Sequence, residues 1–278
     1  MSYITTKNQY LLVNNQKIAY RELGIGKSAL PLVMLTHLAA TLDQWDPKLI
    51  DRLAENQHVV LLDLPGVGAS QGQVAPTIPD MAKQAISIIE AMEYQKIHLL
   101  GLSMGGMVAQ EIVRSDSKLV DHLILVGTAP RAGLGINRVT GTTFRHIIRA
   151  ILHGTDPKRY IFYGHDKHGK DEAEKVLNRL ASRPKSDADK NMSVHSFLRQ
   201  LKAIKRWGKA QPDDLCFITQ PTLIVNGDKD RMVPTENSYR MHEKIASSKL
   251  IIYPNSGHGS LFQYAEQFAN DLLTFLMK

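Results

Sequence analysis

The chain has 278 residues, 43% hydrophobic and 22% charged, with a formal net charge of +7 and one cysteine. That composition suits a globular chain with one large core, or a core plus an insertion, and excludes a disordered or fibrous protein. It also excludes an intramolecular disulfide, and no run approaches the roughly 18 consecutive apolar residues of a membrane helix. Residues Met1–Asn8 lack a charged region followed by an apolar run, so no secretory leader is expected; with Cys216 alone, the expected location is cytoplasmic. The charge excess is local. Between Arg131 and Asp214 there are 18 Lys and Arg against 9 Asp and Glu. These cations are scattered among helical apolar positions without a nucleic-acid motif, so a solvated basic face is expected and no nucleic-acid partner.

The early chain reads as strands. Tyr10–Val13 and Lys17–Leu23, joined through Asn14-Asn15, form a hairpin pattern. Leu30–Thr36 is an apolar run of buried-strand type. Asp46-Pro47 opens a short helix through Ala54, and His58–Leu64 is a second buried strand. Thr77 and Pro79 start a helix with Met81, Ala85, Ile88, Ile89 and Met92 on its apolar face. Strands at Ile97–Leu100 and Leu123–Val126 flank another helical pattern. After Pro130 the alternation stops for roughly eighty residues. One helix there carries Phe144, Ile147, Ile148, Ile151 and Leu152 on one face. A second covers Glu172–Ala181. A third covers Val194–Trp207, with Phe197, Leu198, Leu201 and Ile204 on one side. Strands return at Thr222–Asn226 and Leu250–Tyr253, with helices near 237–246 and 261–277. This order predicts a mostly parallel sheet with helices on both faces, and chemistry at the strand carboxyl ends.

Gly101-Leu102-Ser103-Met104-Gly105-Gly106 lies between a strand and a helix, which is the setting of a nucleophile elbow. The glycines two before and two after Ser103 remove side chains that would collide in so tight a turn. A serine hydroxyl needs a base, and the base needs an orienting acid. His258, in Gly257-His258-Gly259 after the last strand, is the candidate base. Asp230, in Gly227-Asp228-Lys229-Asp230, is the candidate acid, with Asp228 read as a turn-former. For the oxyanion of a tetrahedral intermediate, the backbone N–H of Met104 is the expected donor.

With the order Ser103, Asp230, His258, the chain resembles the α/β-hydrolase superfamily along essentially its whole length. Its esterase, enol-lactonase, carbon–carbon hydrolase and cofactor-free haloperoxidase branches are the nearest in style. The resemblance implies an α/β fold with a mostly parallel eight-stranded sheet. It implies a core of residues 1–130 and 215–278 and a helical cap of residues 131–214. It assigns the second oxyanion donor to the Ala39 amide in Thr36-His37-Leu38-Ala39-Ala40, where Leu38 replaces the family's glycine, and gives His37 an anchoring role. Leu38, Phe144, Ile148, Phe162, Phe197 and Trp207 are the candidate pocket residues. Asp63–Ser70 matches the family's D-x-x-G-x-G-x-S turn, without the lysine of a phosphate-binding loop. His165 and His168 lack a third ligand, so no metal is expected, and no cofactor is implied.

The expected activity is serine hydrolysis of a small-molecule ester or lactone. Carbon–carbon bond hydrolysis or perhydrolysis by the same triad is the alternative, and a slow-turnover ligand receptor is the rival from another class. The serine separates the chain from the resembling haloalkane dehalogenases, which use an aspartate nucleophile.

Overall fold

The computed structural model describes residues 2–277. Its strands are β1 (Gln9–Val13), β2 (Gln16–Leu23), β3 (Leu32–Leu35), β4 (Val59–Leu62), β5 (Ile97–Leu102), β6 (Val120–Val126), β7 (Thr222–Gly227) and β8 (Ser248–Tyr253). They form one eight-stranded sheet in the order β1-β2-β4-β3-β5-β6-β7-β8. β2 is antiparallel to both β1 and β4, and every other pair is parallel. The expected α/β architecture is therefore the observed one. Asn14 and Asn15 both adopt left-handed φ, 49° and 61°, and close the β1–β2 hairpin in two residues.

Alternate residues of each central strand enter opposite cores. Val33, Leu35, Val60, Leu62, Leu99 and Leu123 pack with helices α2 (Ile78–Ala91) and α3 (Met104–Ser115). Leu32, Met34, Val59, Leu61, Leu100 and Ile124 pack on the other face with α1 (Pro47–Ala54) and the C-terminal helix. Burial on both faces is why these strands read as unbroken apolar runs. Asp46 caps α1 by accepting from the Lys48 amide at 3.0 Å, and Thr77 caps α2 by accepting from Asp80.

Between β6 and β7 lie α4 (Val139–Leu152), α5 (Lys158–Ile161), α6 (Lys167–Ala181) and α7 (Val194–Trp207). α8 (Glu236–Lys244) follows β7. The expected single tail helix is two helices, α9 (Ser260–Gln263) and α10 (Ala265–Leu276). The break falls at Tyr264, whose ring stacks on Tyr253 at 4.7 Å and whose hydroxyl donates to the Pro254 carbonyl.

Several cations of the inserted segment dock it on the core rather than face solvent. Arg179 donates to both oxygens of fully buried Asp46, at 2.8 and 2.6 Å. Arg183 donates to the carbonyls of Tyr3, Ile4 and Thr6. Arg199 donates to the Val74 carbonyl at 2.6 Å. Each satisfies backbone or carboxylate oxygens that docking would otherwise strand.

Candidate active site

The turn from β5 into α3 holds Ser103 at φ 55° and ψ −115°, a conformation a β-carbon disfavours. The surroundings hold it there. The Ser103 amide donates to the Val126 carbonyl at 2.8 Å, and Thr128 Oγ1 donates to the Ser103 carbonyl at 2.7 Å. A β-carbon at position 101 would stand 2.4 Å from the Gly105 carbonyl oxygen, and one at 105 would stand 2.2 Å from that of Leu35. Only glycine fits either place.

Ser103, Asp230 and His258 lie beyond the carboxyl ends of β5, β7 and β8, and the fold brings them together. Asp230 Oδ1 accepts from the Met232 and Val233 amides at 2.8 and 2.9 Å, which fixes the carboxylate. Its Oδ2 accepts from His258 Nδ1 at 2.8 Å. That bond places the proton on Nδ1, so Nε2 is free to accept from Ser103 Oγ at 2.9 Å. All three residues are buried. Asp228 instead accepts from the Ser256 amide and shapes the loop carrying His258. The Gly259 amide in that loop donates to the Phe162 carbonyl, so the stretch between β6 and β7 also braces His258.

Met104 is the first residue of α3, and its amide heads the helix next to Ser103. Ala39 lies in the left-handed region at φ 63°. Its amide donates to Gln200 Oε1 of α7 at 2.9 Å. Gln200 is a neighbour of the candidate site that sequence reasoning missed; 161 positions separate it from its partner. His37 Nδ1 bonds the Leu38 carbonyl at 2.8 Å, and burial pushes its pKa down to about 3, so the ring is neutral.

Ser103 and His258 open into a cavity of about 290 Å³, at the small end of ligand pockets. Of the expected lining residues, Leu38, Phe162 and Phe197 are there. Phe144, Ile148 and Trp207 are not, and each is a correction. Phe144 is 40% exposed and Ile148 57% exposed on the outer side of α4, while Val139, Thr143 and Ile147 form the inner row. Val139 and the small residues Thr143 and Ala150 are the buried residues of that helix; Ile151 and Leu152 face outward. On α7, Leu198 likewise points out while Leu201 and Ile204 point in. Trp207 is buried beneath the site, its indole N–H donating to the Ala129 carbonyl.

Met107, Ile161, Ile204, Met232 and Val233 complete the apolar wall. Met232 and Val233 follow Asp230 directly, a proximity the sequence did offer. Among the described residues, the one Lys or Arg on the lining, Lys158, pairs with Asp156 at 3.3 Å.

Two other motifs resolve differently. In the Asp63–Ser70 turn, Ser70 Oγ donates to the Asp63 carbonyl and accepts from the Ala19 amide, so the turn braces β2. The Asp63 carboxyl is fully buried beside Asp189, and burial, then that neighbour, hold its pKa well above the carboxylate range. His165 faces Arg231 and Arg149, and His168 faces Gln263, so the two do not share a ligand position.

The family described as the alpha/beta hydrolase fold matches residues 31–264. An alpha/beta hydrolase fold protein from Chitinophaga pinensis is 31% identical and superposes with a TM-score of 0.91, covering 99% of both chains. A pimeloyl-[acyl-carrier protein] methyl ester esterase of Aeromonas hydrophila is 26% identical over 79% of this chain and 85% of its own. A 2-hydroxy-6-oxononadienedioate/2-hydroxy-6-oxononatrienedioate hydrolase of Klebsiella pneumoniae is 29% identical over 82% and 80%.

Proposed function

The chain belongs to the alpha/beta hydrolase family, and on that premise we propose that it is a serine hydrolase cleaving a carboxylic ester or lactone through an acyl-enzyme. The hydrogen-bonded line Ser103–His258–Asp230 carries this reading. As Ser103 Oγ attacks the carbonyl carbon, its proton passes to His258 Nε2. Asp230 holds the imidazole and stabilises its cation. The Met104 amide, at the positive end of α3, receives the oxyanion. Ala39 is the second donor, and to serve it exchanges Gln200 for the substrate oxygen. The alcohol leaves with the proton from His258. Water then attacks the acyl group by the same route, restoring Ser103.

The inserted residues 131–214 act as the cap that encloses this chemistry and excludes water. The lining favours an uncharged, largely apolar substrate. A carbon–carbon hydrolase acting on a dicarboxylate needs cations in its pocket; here the sole lining cation is already paired with Asp156.

The test is a chain-length series of nitrophenyl esters with wild type and Ser103→Ala. Turnover should vanish in the variant, and the optimum should fall at short acyl chains, as a cavity of about 290 Å³ requires. Equal turnover by both proteins would overturn the reading.

A further inference from the structure

At the opposite end of β5 from Ser103, three side chains converge. His98 and His122 are register partners across the β5–β6 ladder, so both project from the same face of the sheet. Asp121 stands between them. Its Oδ2 lies 2.7 Å from His122 Nδ1 and 3.7 Å from His98 Nδ1. Among the described residues this is the group of three such side chains whose ligand atoms all fall within 4.8 Å of one another.

The unexplained member is His98. Its side chain is 91% buried, and its Nδ1 has no hydrogen-bond partner. A buried ring nitrogen without a partner is costly unless something occupies its lone pair. This one is aimed at a carboxylate oxygen and a second imidazole nitrogen. We infer that His98, Asp121 and His122 form a binding site for a divalent transition cation of the zinc class.

The donor chemistry suits such an ion. Two imidazole nitrogens and one carboxylate oxygen are borderline ligands of the kind zinc accepts, with a fourth position left for water. Bonds of about 2.0–2.1 Å in a tetrahedron put neighbouring ligand atoms about 3.3 Å apart. The His98–Asp121 separation is already close to that. The His122–Asp121 pair must open by about half an ångström as the ion replaces the proton between them. His122 and Asp121 are partly exposed, at 13% and 24%, which gives the ion a route in. Asp121 Oδ1 also pairs with Lys96, whose charge opposes a second cation.

The site would not take part in ester cleavage. His98 and Ser103 are five residue steps apart, about 17 Å along β5. Its consequence is structural: an ion there clips β5, which carries the nucleophile, to β6.

The experiment uses the whole chain, stripped with a chelator and titrated with zinc ion alone by calorimetry and thermal unfolding. One equivalent should bind and raise Tm. His98→Asn and Asp121→Asn should each weaken binding by more than about tenfold. Lys96→Ala should tighten it. Ester turnover should be retained in all three variants, which establishes that they fold. Cobalt(II) added to the wild-type chain reads the coordination without any substitution: an intense visible band is expected from a tetrahedral nitrogen–oxygen site. Absence of stoichiometric zinc binding, a cobalt spectrum like that of the aqueous ion, or binding indifferent to both ligand substitutions would overturn the inference.

Discussion

The strand ends that present Ser103, Asp230 and His258 and the helices that wall the pocket are held by different means. At the strand ends, backbone geometry does the holding. Ser103 is fixed by the Val126 and Thr128 contacts, and Asp230 by two amides of its own loop. The inserted helices are held by a few long arginine reaches and by side-chain packing, and α4 leaves Ile151 and Leu152 at 72% and 77% exposure. A frame built from backbone bonds has little room to vary. A frame built from side chains can change its lining one residue at a time. On the proposed function, chemistry sits on the first and selection on the second.

The largest effect tests the rigid region. His258→Ala should lower kcat for ester hydrolysis by about 10⁶-fold, and adding Ser103→Ala should cost little more, because the two act as a unit. Additive losses would mean that the line of hydrogen bonds is not one device. Next comes the bond between the regions. Arg179→Ala strands the buried Asp46 carboxylate and should cost about 2–3 kcal/mol, below the roughly 3–5 kcal/mol of a fully buried pair because Arg179 is itself 30% exposed. Urea unfolding measures it, and a cost near zero would mean that the insertion stands independently of α1.

Within the insertion the comparison sharpens further. Ile147→Ala should move the acyl chain-length optimum and change kcat/KM by about tenfold between neighbouring esters. Ile148→Ala, one residue along but facing outward, should change neither. Equal effects would place the wrong face of α4 on the pocket. The smallest effect is a pH dependence. The Asp63 carboxyl pKa is raised in the folded chain, so the native state holds its proton where the unfolded state has lost it. Its stabilisation is complete below the ordinary carboxylate range and fades as pH rises through the raised value. Asp63→Asn cannot ionise, and its Tm should fall less than that of wild type toward alkaline pH.

The same contrast explains what was legible beforehand. The β1–β2 turn at Asn14-Asn15, the glycines around Ser103 and the spacing from Gly227 to Asp230 are local signals, and local sequence carries them. The choice of Asp230 over Asp228 rested on spacing, and Asp230 is the one that meets His258. The inner face of α4 is not legible from its five-residue apolar stripe, because only Ile147 of that stripe meets the pocket and the packed row follows Val139 and the small residues Thr143 and Ala150, which permit close approach. Gln200 against Ala39 and Arg179 against Asp46 pair residues far apart in the chain, and no window of sequence contains both. The break at Tyr264 depends on stacking against Tyr253, a tertiary contact overriding a continuous helical pattern.

Arg183 has a consequence for the order of assembly. Its guanidinium grips the carbonyls of Tyr3, Ile4 and Thr6, across 177 to 180 positions of chain. Ser2 and Tyr3 bond to Asp51 and Leu42, which are made early, but the carbonyls that Arg183 takes stay without it until the segment after α6 has been made. The strands from β1 to β6 can pair before then, but residues 3–6 gain this further tie only afterwards. Contacts of such sequence separation form late. Limited proteolysis should therefore clip around residues 3–6 faster in chains halted before residue 183 than in chains released beyond α7.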